Sequence, residues 1–105
     1  MLNEAVEMLK ATLPAFQVSG LSRYLAQNHM FLGSAYQNSG DLASLAGDPS
    51  AAVKNYELSI EQFDACIALG ENSTDRILQS DIVAANCLPR RQESAEQLQA
   101  LSGGS

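Results

Sequence analysis

Residues 21–38, LSRYLAQNHMFLGSAYQN, decide the fold of this chain. Apolar side chains recur in this stretch at spacings of three, four and seven residues, a pattern that indicates an α-helix. They form two stripes, one of Leu21, Leu25, Leu32 and Tyr36 and one of Tyr24, Phe31 and Ala35. Because two apolar stripes leave little of the helix surface polar, we expect this helix to be packed on two sides.

Four further segments have the same helical spacing, namely residues 3–18, 49–69, 74–88 and 90–101. Residues that stop helices mark the boundaries: Ser19-Gly20, Ser39-Gly40-Asp41, Gly70 and Pro89. Asp48 followed by Pro49 is typical of an N-cap and the first residue of a helix. The sequence therefore predicts an all-α chain with one domain over residues 1–101 and a disordered tail over residues 102–105.

The charge balance excludes several classes of partner. Twelve acidic residues outnumber six basic ones, so the net charge is −6. Nucleic acids and anionic membrane surfaces require clustered Lys and Arg, and we expect neither as a partner. No apolar run is long enough for a membrane span, and the start Met1-Leu2-Asn3-Glu4 lacks the order of a signal peptide. We therefore predict a cytoplasmic protein.

The reactive side chains do not form a recognisable catalytic or metal-binding set. Cys66 and Cys87 are 21 residues apart, and in a reducing compartment we expect them to be buried thiols rather than a disulfide or a metal site. His29 is the only histidine, and we expect it to be a partly buried structural residue. The carboxylates Glu57 and Glu61 fit a solvated helix face. The sequence therefore predicts no enzyme, no cofactor and no metal.

An internal similarity relates the first and third predicted helices. At a constant offset of 47 residues, apolar and small positions coincide: Ala5-Val6 with Ala52-Val53, Leu9 with Tyr56, Leu13 with Ile60, and Phe16 with Phe63. Similarity at a fixed period is typical of helical repeat proteins, in which each hairpin packs against its neighbours.

The run from Leu32-Gly33 to Tyr36, then Gly40-Asp41, Ala52 and Tyr56, resembles the tetratricopeptide repeat (TPR). That family has Leu-Gly-x-x-Tyr in its first helix, a glycine at the turn, and a small residue four before an aromatic one in its second helix. The resemblance covers residues 3–70 and departs from the family at His29, at about seven extra residues over 42–48, and at Asp64. It implies antiparallel helical hairpins, about one and a half repeats, with C-terminal helices as caps.

The resemblance also implies a function and a site. It implies a non-catalytic scaffold or adaptor that binds a protein or peptide along the first helix of the hairpin. The partner-facing positions then fall on Gln27, Met30, Ser34, Gln37 and Asn38. This set has no charge and so lacks the cationic clamp that some relatives use for a peptide's C-terminal carboxylate.

Two questions stay open on the sequence alone. The alternative function is a small-ligand sensor with a pocket between the helices at 21–38 and 49–69, near His29 and Tyr56. One and a half repeats are also fewer than a solenoid usually needs. The C-terminal helices capping the stack, a homodimer, or membership of a longer repeat protein would each resolve this.

Overall fold

The computed structural model describes residues 18–103 of the chain. It contains α1 (Val18–Leu45), α2 (Pro49–Glu71), a π-helical segment (Leu78–Cys87) and α3 (Leu88–Gly103). The predicted all-α fold class is confirmed. The number of repeats stays a prediction, because the helix predicted over residues 3–18 lies outside the described residues except for Val18, which is the first residue of α1.

Helices α1 and α2 form a closely packed antiparallel hairpin. A Cβ atom added at Gly33 would lie 2.7 Å from the ring of Phe63, and one added at Gly40 would lie 2.7 Å from the ring of Tyr56. As positions advance along α1, their contacts move back along α2, which defines the antiparallel direction. The two glycines therefore let the α1 backbone rest directly on two buried aromatic rings.

The predicted ends of α1 are wrong on both sides. Gly20 and Gly40 are expected to stop helices, yet both lie within α1. The chain turns instead at Gly47, the one glycine in the described residues with a positive φ, of 77°. Glycine is favoured both where φ is positive and where another group packs on the backbone, and Gly40 has the second role. The predicted connection over residues 42–48 is thus shortened to residues 46–48.

The start of α2 agrees with the prediction. A side-chain oxygen of Asp48 accepts a hydrogen bond from the Ala51 N–H at 3.2 Å, and Pro49 is the first helical residue. This cap satisfies one of the donors that an α-helix leaves unpaired at its N-terminus.

The C-terminal part is one continuous helical rod, although the sequence predicts a break at Pro89. The π-helical segment leads directly into α3, and the Leu88 N–H donates to the Val83 carbonyl five residues earlier. The wider π turn accommodates the proline that follows, because the ring would clash with a carbonyl in a regular α-turn. The rod begins with Asp75 as its cap, whose carboxylate accepts from the Ile77 N–H at 3.1 Å. The predicted start at Ser73 or Thr74 is therefore one or two residues too early.

The rod packs antiparallel to α2, and this packing joins the two cysteines. The side chains of Ser59 and Ser94 hydrogen-bond at 2.8 Å in the interior, and Gly70 lies against Val83. Between these two contacts, Cys66 and Cys87 form a disulfide with their Cα atoms 6.4 Å apart. The expectation of free thiols is therefore wrong. The cause is the antiparallel register, which a separation of 21 residues does not reveal.

The disulfide lies within the main buried cluster. Its members come from all the described elements except α3: Ala26, Phe63, Cys66, Leu78, Ile82, Val83 and Cys87. Met30, Ile67 and Leu69 pack against them from the margin. The C-terminal rod thus completes the core that the α1–α2 hairpin begins.

Candidate partner-binding face

The charged residues of α1 are each hydrogen-bonded to another part of the chain. Of its 28 residues, only Arg23 and Asp41 carry a full charge. The Arg23 guanidinium donates two hydrogen bonds to the Asp75 carboxylate, one of them at 3.0 Å. This hydrogen bonding lowers the pKa of Asp75 below its usual value and raises the pKa of Arg23. Asp41 accepts a hydrogen bond from the Tyr56 hydroxyl.

The five positions predicted to face a partner do not share one environment. Gln27 and Asn38 are exposed, and Ser34 is half-buried. Met30 packs against the buried cluster. Gln37 is buried, and its amide donates to the Arg90 carbonyl at 3.2 Å. The C-terminal rod therefore covers part of the predicted side, and Met30 and Gln37 are taken up by contacts within the chain.

A different side of α1 is open and apolar. Four large apolar side chains are exposed there: Tyr24 at 48%, Phe31 at 64%, Leu42 at 67% and Leu45 at 86%. Ala35 is exposed between them, and Gln27, Asn28 and Asn38 flank them. On a helical projection this side lies opposite Gly33 and Gly40, which face α2. We refer to these eight residues as the outer face of α1.

The outer face has the composition of a protein interface. Its large side chains are aromatic or leucine, its polar residues are amides, and it has no ionisable group other than the Tyr24 phenol. Interface cores are enriched in aromatic residues and depleted of charge relative to other protein surfaces. A helix face turned permanently to water usually carries Lys, Glu or Arg. The composition of the outer face therefore differs from that of an ordinary solvated helix face.

Comparison with protein families, curated proteins and solved structures gives no match for this chain. Over residues 18–103, none of the helices combines the length and the apolar character that crossing a membrane requires. Within the same range, the His, Cys, Asp and Glu side chains form no group of three or more placed to hold a metal ion.

The region suggested for a ligand pocket is filled by side chains. The Tyr56 ring is buried against Gly40, and its hydroxyl bonds Asp41. The His29 ring hydrogen-bonds the Gln62 amide oxygen at 2.8 Å. Burial, and secondarily the hydrogen bond to Asp41, raises the pKa of Tyr56 to about 12. This arrangement is a structural contact between α1 and α2.

The raised pKa of Tyr56 predicts a loss of stability at alkaline pH. An unfolded tyrosine ionises near a pKa of about 10, whereas folded Tyr56 keeps its proton up to about pH 12. In that window the unfolded state releases a proton that the folded state retains, so the free energy of unfolding falls as pH rises. Denaturant titrations on both sides of about pH 10 measure it. Tyr56→Phe should show a smaller fall, and an equal fall in both proteins would contradict the assignment.

The sequence holds a signal for the outer face that the family resemblance obscures. Tyr24, Phe31 and Ala35 form the second apolar stripe of this helix, and that stripe predicts packing on two sides. The helix end predicted at Gly40 places Leu42 and Leu45 in the connection that follows, and so leaves them out of the stripe. Because the helix runs through Gly40, all five residues lie on one face.

Proposed function

We propose that this protein is a non-catalytic protein–protein interaction module whose partner binds the outer face of α1. One observation carries the proposal. Four large apolar side chains are exposed along one side of a helix whose two charged residues, Arg23 and Asp41, lie off that side and hydrogen-bond within the chain. Exposed apolar residues that occur singly are ordinary, whereas a continuous patch marks an interaction site.

The size of the patch supports the same proposal. From their exposed fractions, Tyr24, Phe31, Leu42 and Leu45 present on the order of 500 Å² of apolar surface. That is near the upper end for the largest apolar patch of a monomeric protein, about 300–600 Å². With its polar margin, the face approaches the roughly 800 Å² that each partner contributes to a standard interface.

We further propose that the module is a TPR-like scaffold or adaptor. The antiparallel α1–α2 hairpin supports this, as does the position of Gly33, where the resemblance places a small residue between the two helices. The predicted cytoplasmic location stays a prediction. The Cys66–Cys87 disulfide is an argument against it, because structural disulfides persist mainly in oxidising compartments.

The alternative function, a small-ligand sensor with a pocket between α1 and α2, has less support. The rings of Phe63 and Tyr56 occupy the space next to Gly33 and Gly40, and His29 is bonded to Gln62. A ligand that binds between α1 and α2 next to Gly33 or Gly40 would have to displace these buried side chains.

We predict that Phe31→Asp removes partner binding and leaves the fold intact. Phe31 is 64% exposed, so an aspartate there stays solvated in the free protein but is desolvated in the complex. With a purified partner, the affinity should fall by about 10- to 100-fold, as for a truncated interface hot spot. The measurement is a pull-down with the full chain, identification of retained proteins by mass spectrometry, and calorimetry with each one purified.

Ile77→Asp is the matched control. Ile77 is 49% exposed and lies outside α1, so this variant adds the same charge to a similar apolar side chain elsewhere. Proteins retained by the wild type and by Ile77→Asp, but not by Phe31→Asp, would support the proposal. Equal retention by Phe31→Asp and the wild type would remove the outer face as the binding site.

A further inference from the structure

We propose that the outer face of α1 binds the outer face of a second copy of this chain, with the two α1 helices antiparallel. This inference rests on the proposed function and names the partner. The resulting dimer has a two-fold axis next to Gly33, on the side of the helix away from α2.

The spacing of the outer face is that of a two-helix seam. The seam positions are 24, 28, 31, 35, 38, 42 and 45, separated alternately by four and three residues. This is a 3.5-residue repeat, which keeps one side of a helix against a partner helix over several turns. A helix surface that only contacts solvent is not expected to show such a repeat.

One antiparallel register makes this seam complementary to itself. When residue numbers in the two copies sum to 66, Tyr24 faces Leu42 of the second copy, and Phe31 faces its Ala35. Tyr24, Phe31 and Leu42 then each meet an apolar side chain, and the more exposed of the two rings, Phe31, meets the smallest side chain, whereas Leu45 lies beyond the paired part. Asn28 faces Asn38 of the second copy, so an amide meets an amide. Side chains at such alternating seam positions can interlock with those of the facing helix as knobs into holes.

The length of the face favours a second copy over the chain's own N-terminal segment. From Tyr24 to Leu45 the face spans about 32 Å along the helix. The apolar stripe predicted for residues 3–18 runs from Val6 to Phe16, which is about 15 Å. That segment would cover half of the face, whereas a second copy in this register pairs with it from Tyr24 to Leu42, which is about 27 Å.

The charge distribution also fits self-association. The chain has a net charge of −6, which opposes the approach of two copies in general. The outer face carries none of that charge, so two copies meeting there keep their acidic residues on other surfaces. A basic partner would find no complementary group on this face. The surface available to two copies, on the order of 1,000 Å² of apolar area, is close to the smaller specific interfaces.

The first test is the mass of the full chain in solution, measured by sedimentation equilibrium. We expect a dimer whose dissociation constant lies in the micromolar range. Phe31→Asp should weaken it by about 10-fold or more, as for the loss of a hot-spot side chain, while Ile77→Asp should leave it unchanged. Circular dichroism melts of each variant verify that it is folded.

A mixing experiment tests the register. In the proposed dimer, Asp at position 31 of one copy meets position 35 of the other. Mixing Phe31→Asp with Ala35→Lys should therefore give a heterodimer with one Asp–Lys pair and one unchanged Phe–Ala layer. We expect it to be about 10-fold or more tighter than either variant's homodimer. A parallel pairing places residue 31 against residue 31 of the other copy, so Phe31→Lys would then be a tighter partner for Phe31→Asp than Ala35→Lys is, and that result would overturn the antiparallel assignment.

Other outcomes separate this inference from the proposed function. A wild-type chain that stays monomeric up to about 500 μM, equivalent to binding weaker than about −4.5 kcal/mol, overturns self-association. If Phe31→Asp still abolishes binding of a different protein, the proposed function stands without the dimer. A monomer that Phe31→Asp destabilises would mean that the face is covered within one chain, which also overturns the inference. A Phe31→Asp variant as dimeric as the wild type would place the dimer contact elsewhere.

Discussion

Removal of the Cys66–Cys87 disulfide should lower the free energy of unfolding by about 3 kcal/mol, the value for a closed loop of roughly 20 residues. The bond joins α2 to the end of the π-helical segment. In the unfolded chain it restricts the residues between the two cysteines, so its loss mainly stabilises the unfolded state. For a protein with a total stability of about 5–15 kcal/mol this is a large fraction.

The measurement compares the wild type with the double variant Cys66→Ala and Cys87→Ala in urea titrations, each with and without a thiol reductant. We expect the reductant to shift the wild-type midpoint to that of the double variant and to leave the double variant unchanged. Because both sulfurs are buried, reduction should be slow under native conditions and fast in urea. A wild type that gives the same midpoint with and without reductant would show that the cysteines are not paired in solution.

The disulfide also affects what the outer face can do. The C-terminal rod holds one side of α1 through Arg23–Asp75 and Gln37–Arg90, and the disulfide fixes that rod on α2. In a reducing compartment the rod would be held by its non-covalent contacts alone, which include these pairs and the Ser59–Ser94 hydrogen bond. Loosening it would release Met30 and Gln37, two of the positions that the family resemblance assigns to a partner.

The sequence is sufficient to predict which segments are helical. It predicts where a helix ends only when the residues at that position have a single structural role. Asp48-Pro49 identifies the start of α2 because an N-cap followed by proline has few other uses. The prediction at Gly40 is wrong because glycine serves both as a helix stop and as a packing site. Only the position of the Tyr56 ring, which packs on Gly40 from the next helix, decides between the two roles.

The candidate site can be predicted only in part for a similar reason. The stripe of Tyr24, Phe31 and Ala35 is local to one helix, and its spacing alone reveals it. The burial of Gln37 depends on Arg90, and the disulfide depends on how the rod aligns with α2. Contacts between residues so far apart are set by the tertiary register, which a single sequence does not encode in any local pattern.

Phe63→Ala should cost about 3–5 kcal/mol, as for a large aromatic side chain removed from a close-packed core. Phe63 is fully buried, and its ring lies where a Cβ of residue 33 would be. This geometry predicts that the effect of a substitution at Gly33 on stability depends strongly on the side chain at position 63. In the wild type, Gly33→Ala gains about 1 kcal/mol of helix propensity but forces an overpacked contact that costs about 1–3 kcal/mol. In the Phe63→Ala background the clash is absent, so the same substitution should stabilise the protein.

A double-mutant cycle on the free energy of unfolding measures this dependence. We expect a coupling energy of about 1–3 kcal/mol, which is the overpacking cost that the cycle isolates. Gly20→Ala is the matched control, because Gly20 lies in the same helix and a Cβ added there would have no neighbouring atom within 4 Å. It should stabilise both backgrounds equally, by up to about 1 kcal/mol. Additive effects of Gly33→Ala and Phe63→Ala would mean that α1 and α2 do not approach at this level, and the orientation of the outer face away from α2 would lose its support.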